Sequence, residues 1–156
     1  MLLDTYRQVL ARRIEDFYDE GFVHDNGLAF REPRADRVVI KGRIRCQNDL
    51  FIDVEMTLAV RVVRGRKQVR LARYKYHAGI EGPQVRSIFR YDNSHAHIGE
   101  GQPDPHHKHR FDHTTWKEVT PPEWIGEARA PHLSDVIEEL RDWWETTGRH
   151  LDLGQG

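Results

Sequence analysis

The stretch Leu50–Val63 limits the possible folds more than any other part of the chain. Leu50, Ile52, Val54, Met56, Leu58, Val60 and Val62 recur at a period of two, with Asp53, Glu55, Thr57 and Arg61 between them. Successive side chains of an extended backbone point to opposite faces, so the pattern describes a long, half-buried strand. One apolar and one polar face is what an antiparallel sheet shows when one side rests on a core.

The flanking sequence extends this sheet. Val38–Cys46 places Val38, Ile40, Ile44 and Cys46 on one face, and Gln47-Asn48-Asp49 supplies turn chemistry before the long strand. Arg64-Gly65-Arg66-Lys67 closes a hairpin, with Gly65 providing the positive φ such a turn needs. The next strand, about Gln68–His77, switches parity. Val69 and Leu71 give way to Ala72, Tyr74 and Tyr76, and a bulge or a strand covered on both faces would explain the switch. Val85–Tyr91 and His106–Phe111 are further strands, and short ones are expected at Phe22–Val23 or Leu28–Phe30, before a break at Pro33. Residues 95–105 form a Gly-, Pro- and His-rich loop, and Trp116–Pro131 is expected to be irregular.

Helices flank the sheet. Residues 3–19 carry Leu3, Tyr6, Val9 or Leu10, Ile14 and Phe17 at helical spacing, with Gly21 placed to stop them. Residues 134–147 follow the stripe Leu133, Val136, Ile137, Leu140, Trp143 and Trp144, with Ser134 as N-cap. The expected fold is a single α+β domain over residues 1–156. An antiparallel meander of four to six strands, about residues 38–111, lies between an N-terminal and a C-terminal helix.

Composition narrows the function classes. The formal net charge is -1, so any nucleic-acid binding must come from a local patch. The lone Cys46 excludes an intramolecular disulfide framework and a cysteine zinc finger. No segment has the length and apolarity of a signal peptide or membrane span, and a cytoplasmic protein is expected. A Gly-rich phosphate loop opening a helix, a G-x-S-x-G elbow and H-E-x-x-H are all absent, which counts against nucleotide hydrolases, serine hydrolases and zincins.

Chemistry concentrates between Tyr74 and His113, which holds most of the chain's histidines. His95 with His97, and His107 with His109, are H-x-H pairs that project both rings to one side of an extended backbone. That arrangement suits two ligands of a metal or an acid and a base about one bond. Arg90 and Asp92 share one face of their strand, Phe89 and Tyr91 the other. Tyr74, Tyr76 and Tyr91 are candidates to stack bases or donate protons, the alternative being core packing. The hairpin end with Arg64, Arg66, Lys67, Arg70 and Arg73 is either a phosphate track or the surface for an acidic partner.

Three readings follow. The first is a metal-independent ribonuclease, in which His107 and His109 exchange protons, Arg90 holds the phosphate and Asp92 orients a histidine. RNA cleavage needs only a base for the 2′-hydroxyl, an acid for the 5′-oxygen and a cation for the phosphorane. The second is a metal-dependent nuclease or other hydrolase, with His95, His107, His109 and Asp92 binding zinc or manganese. The third is a non-catalytic module whose histidine loop docks a partner or senses pH.

YKYH at Tyr74–His77, FRYDNSHAH at Phe89–His97 and HHKHRFD at His106–Asp112 resemble the TumE-like toxin family of prokaryotic toxin–antitoxin systems. The likeness covers about residues 35–147, through the tryptophan, the proline-rich bend and the terminal helix. The resemblance implies a growth-inhibiting toxin, suspected of cleaving RNA. It also implies neutralisation by a cognate antitoxin with a helix-turn-helix DNA-binding domain. Carried over by position, Arg90, Asp92, His95, His107 and His109 are the catalytic candidates, with Tyr76 added. Arg73, Tyr74, His77 and Lys108 are the substrate-binding candidates. His97 and the insertion GEGQPD depart from the family pattern.

Overall fold

The computed structural model describes residues 1–94 and 104–153. The elements in order are α1 (Leu3–Asp19), β1 (Val23–Asn26), β2 (Ala29–Arg34), β3 (Arg37–Cys46), β4 (Leu50–Val63), β5 (Arg66–Ile80), β6 (Arg86–Asp92), β7 (His107–Phe111), β8 (Glu118–Trp124) and α2 (Leu133–Thr146). The strands form one 8-stranded antiparallel sheet in which β3 to β8 are neighbours in chain order, while β1 and β2 share the outer edge of β3.

The α+β class holds, but the sheet exceeds four to six strands and spans more than residues 38–111. The three unforeseen or uncertain strands are edge pieces. Only the first residue of β1, and none of β2 or β8, is buried, so they carry no apolar alternation to announce them. Pro33 does not break β2, and Pro121-Pro122 lie inside β8. Proline costs a ladder hydrogen bond only where a neighbouring strand needs its N–H, and edge strands tolerate it.

Both helices pack on one face. The stripes Leu3, Leu10, Ile14, Phe17 and Leu133, Val136, Ile137, Leu140 are buried together with Ile52, Val54, Met56 and Leu58 of β4. Burying each such aliphatic side chain is worth about 1.5–3 kcal/mol. Helix α1 ends as its sequence requires: Gly21 sits at φ 82, and the N–H groups of Gly21 and Phe22 close onto Tyr18 and Phe17. The N-cap of α2 is His132 rather than Ser134, its N–H accepted by the Asp135 carboxylate at 2.9 Å.

The expected bulge lies at Ala72. Thr57 faces Arg73, but Leu58 faces Leu71, leaving Ala72 as the extra residue. The Asn93 side chain spans it, accepting from the Tyr74 N–H at 2.9 Å and donating to the Ala72 carbonyl at 3.0 Å. One side-chain amide thus satisfies backbone groups on both sides of the bulge. The hairpin before it turns through Arg64 (φ 52) and Gly65 (φ 77), both in the left-handed region that a two-residue turn demands.

Candidate functional site

Register decides which residues meet. His77 faces Arg90, and Arg90 faces His109; Lys75 faces Asp92, and Asp92 faces His107. Directly opposed residues share a face of the sheet. This face is the one without helices, since the intervening Tyr76, Tyr91 and Lys108 project to the helix side. The sheet register therefore gathers Arg73, Lys75, His77, Arg90, Asp92, His107 and His109 on one surface.

A cleft of about 400 Å³ opens there, lined by Glu55, Thr57, Arg73, Tyr74, Lys75, Arg90, Asp92, Asn93 and Ser94. A second of about 390 Å³ adjoins it through Glu55 and Lys75 and reaches Arg43, Asp53 and His77. The bulge is what puts Arg73 and Lys75 beside Arg90. Without the extra residue, these two cations would have the parity of the core-facing Leu71.

Two residues of the first cleft, Arg90 and Asp92, belong to a set of four charged or titratable groups. Asp92 Oδ2 lies 3.3 Å from Arg90 Nε and 3.1 Å from His109 Nε2. Glu118 Oε1 lies 2.8 Å from His109 Nδ1 and 3.9 Å from Arg90. The Nδ1–H donates to the Glu118 carboxylate, and Asp92 faces Nε2 as a close charge contact. Burial, reinforced by Arg90, pushes the His109 pKa below its ordinary value, while Asp92 and Glu118 pull it back. Asp92 stands on the cleft wall, with His109 only 1% exposed behind it.

His107 is equally buried, and its Nδ1 donates to the Pro105 carbonyl at 2.9 Å, which fixes that nitrogen as the protonated one. His77 is half-buried and bonds Ser87 Oγ at 2.7 Å; burial holds its pKa below the ordinary value. Phe51 beneath the second cleft is covered by Arg43, whose guanidinium lies 3.9 Å above the ring.

Three sequence candidates project to the other side. Tyr76 is fully buried among the helices' apolar stripe, and burial pushes its pKa well up. Tyr74 stacks on it at 5.1 Å and bonds His106 Nδ1 at 2.8 Å. Lys108 pairs with Glu139 of α2 at 2.8 Å, and Glu139 also accepts the Tyr91 hydroxyl. His95 and His97 lie outside the described residues. Among the described residues no three His, Cys, Asp or Glu side chains gather in a way that would hold a metal ion. Sequence reasoning missed Glu118, which lay in the stretch expected to be irregular, and Lys75, whose facing depends on the bulge.

A family model described as toxin TumE matches residues 10–148, from the middle of α1 to just past α2. The chain belongs to the TumE toxin family. The resemblance seen at residues 35–147 therefore extends through the edge strands and half of α1. Comparison with curated proteins found no match, and comparison with solved structures found none. No helix among the described residues of this TumE-family toxin is long and apolar enough to cross a membrane.

Proposed function

We propose that this TumE-family toxin is an endoribonuclease acting in the cleft on the helix-free face. The observation that carries the reading is the set Arg90–Asp92–His109–Glu118, two of whose members line a cleft whose walls add Arg73 and Lys75. Neither Arg73 nor Lys75 has an ion-pair partner among the described residues, so both are available to phosphate oxygens. Arg90, 27% exposed and leaning on Asp92, offers its remaining donors to the charge that grows on a phosphorane.

The proton chemistry falls to Asp92 with His109 behind it. Asp92 lines the cleft and takes the 2′-hydroxyl proton; the 2′-oxygen attacks phosphorus, the bond to the 5′-oxygen breaks, and that oxygen takes up a proton from solvent as it leaves. His109 holds Asp92 in place and shares the proton gained, with Glu118 balancing the far nitrogen. This reassigns the earlier expectation, in which Asp92 served the histidines. The family membership also brings a proposed partner, a cognate antitoxin with a helix-turn-helix DNA-binding domain.

Purified protein is incubated with total RNA, with and without chelator. Cleavage that persists in chelator and falls about 10²–10⁴-fold in a folded Asp92→Asn protein is expected. Cleavage lost in chelator favours the zinc or manganese reading instead. Full cleavage by Asp92→Asn refutes the assignment.

A further inference from the structure

The run from Arg61 to Lys75 contains Arg61, Arg64, Arg66, Lys67, Arg70, Arg73 and Lys75 and no acidic residue, in a chain of net charge -1. The β4–β5 register sorts these charges by face. Thr57 faces Arg73, Ala59 faces Arg70, Arg61 faces Gln68 and Val63 faces Arg66. On β3, Arg37 faces Ala59. Strand β4 keeps one parity throughout, so Arg37, Arg61, Arg66 and Arg70 lie on the same face as the cleft residues Arg73 and Lys75. The bulge at Ala72 is the reason: Arg66 and Arg70 have even numbers, Arg73 and Lys75 odd, and one extra residue brings both sets to one side.

These six cations are exposed, and none has a partner among the described residues. The helix side of the same hairpin differs. There Lys67 pairs with Glu32 at 3.4 Å, and Arg7 approaches the same carboxylate at 3.9 Å. Uncompensated like charges on one face repel, and a polyanion relieves that repulsion while releasing its own counterions.

We propose that this face, from the hairpin to the cleft, is a track for single-stranded RNA flanking the scissile phosphate. The inference rests on the cleft reading above. Alternate residues of a strand repeat at about 7 Å, so Arg66, Arg70 and Arg73 form a file about 20 Å long that one nucleic-acid strand can follow. Between the cations lie Thr57, Ala59, Val63 and Gln68, without the aromatic anchors that centre a protein interface, and the one carboxylate opposite Lys75, Glu55, is paired with Lys41 at 3.4 Å. Phosphate is the chemistry the track fits, and its affinity is set by salt rather than by sequence.

The test is anisotropy titration of a 2′-O-methyl single-stranded oligonucleotide, which has no free 2′-hydroxyl to cleave, across a salt series. Arg66→Ala/Arg70→Ala is compared with Arg12→Ala/Arg13→Ala, which removes the same charge from exposed positions on α1, and thermal melts check folding. Single strands lose about 0.7 of log-log slope per phosphate contact, so the hairpin variant should lose about 1.4 and bind on the order of 10-fold more weakly at 0.1 M salt. The α1 variant should match wild type. Wild-type affinity and slope in the hairpin variant overturn the track, even if wild type cleaves RNA. Binding with the expected slopes by a protein that cleaves no RNA upholds the track and sinks the cleft reading alone. Loss of binding to an acidic protein partner, with the RNA slope unchanged, also overturns it.

Discussion

Arg90 and Tyr91 are adjacent in the chain and end in opposite environments. Tyr91 enters the helix side, where Tyr76, Phe89 and the stripes of α1 and α2 exclude water. Of the polar groups admitted there, Lys108 and the Tyr91 hydroxyl both meet Glu139, while the Tyr76 hydroxyl has no hydrogen-bond partner among the described residues. Arg90 enters the helix-free side, where a single imidazole faces two carboxylates and two nearby cations have no ion-pair partner among the described residues. One face carries the apolar core and holds the fold; the other carries cations that have no ion-pair partner among the described residues. The difference teaches that exposure alone does not mark the site. What marks it is charge that the fold leaves uncompensated.

Substitutions on the two faces should separate stability from activity. The largest effect on stability is expected from Leu140→Ala, where a fully buried side chain leaves a cavity under the sheet. Urea unfolding should show a loss of about 2–5 kcal/mol, with cleavage per folded molecule unchanged. A parallel fall in specific activity would mean the faces are not independent. Asn93→Ala removes the clamp across the bulge and should cost about 1–3 kcal/mol. Here cleavage should fall as well, because the bulge aims Arg73 and Lys75; normal cleavage would break the link between bulge and cleft.

A smaller effect is expected from pH. His77 and His109 both have folded pKa values below the ordinary 6.5, with burial as the leading cause. The unfolded chain therefore binds protons that the folded chain refuses. Stability contributed by these two rings is full above 6.5 and declines as pH falls through that value toward the folded pKa values. Urea midpoints should drop between pH 7.5 and 5.5, and His77→Gln should flatten the slope. A midpoint that rises on acidification would reverse the assigned shifts. The smallest effect belongs to Tyr76→Phe. The Tyr76 hydroxyl is buried with no hydrogen-bond partner among the described residues. Its removal should leave stability unchanged or about 1 kcal/mol higher and cleavage intact. Lost cleavage would restore Tyr76 to the site.

How much was legible follows from where each residue's facing is decided. The alternation of Leu50–Val63 and the parity switch before Tyr74 are local facts; the strand follows from the first, while the second fits a bulge or a strand covered on both faces until the register decides for the bulge. The H-x-H spacing likewise puts His107 and His109 on one side. Which side that is depends on β7 pairing with β6 so that Arg90 meets His109, a register no local pattern encodes. Tyr76 and Lys108 were assigned to the site for the same reason: their chemistry fits, but register turns them to the helices. Strand β8 escaped notice because it is exposed and proline-bearing, and Glu118 went with it.

The central claim is that reaction occurs on the face without helices, and two matched charge removals test it most directly. Arg90→Gln and Lys108→Gln each delete one cation, from β6 and β7, on opposite sides of the same sheet. With folding confirmed by thermal melts, Arg90→Gln should lower RNA cleavage by about 10²–10³-fold, and Lys108→Gln should stay near wild type. Cleavage retained by Arg90→Gln and lost by Lys108→Gln would contradict the account.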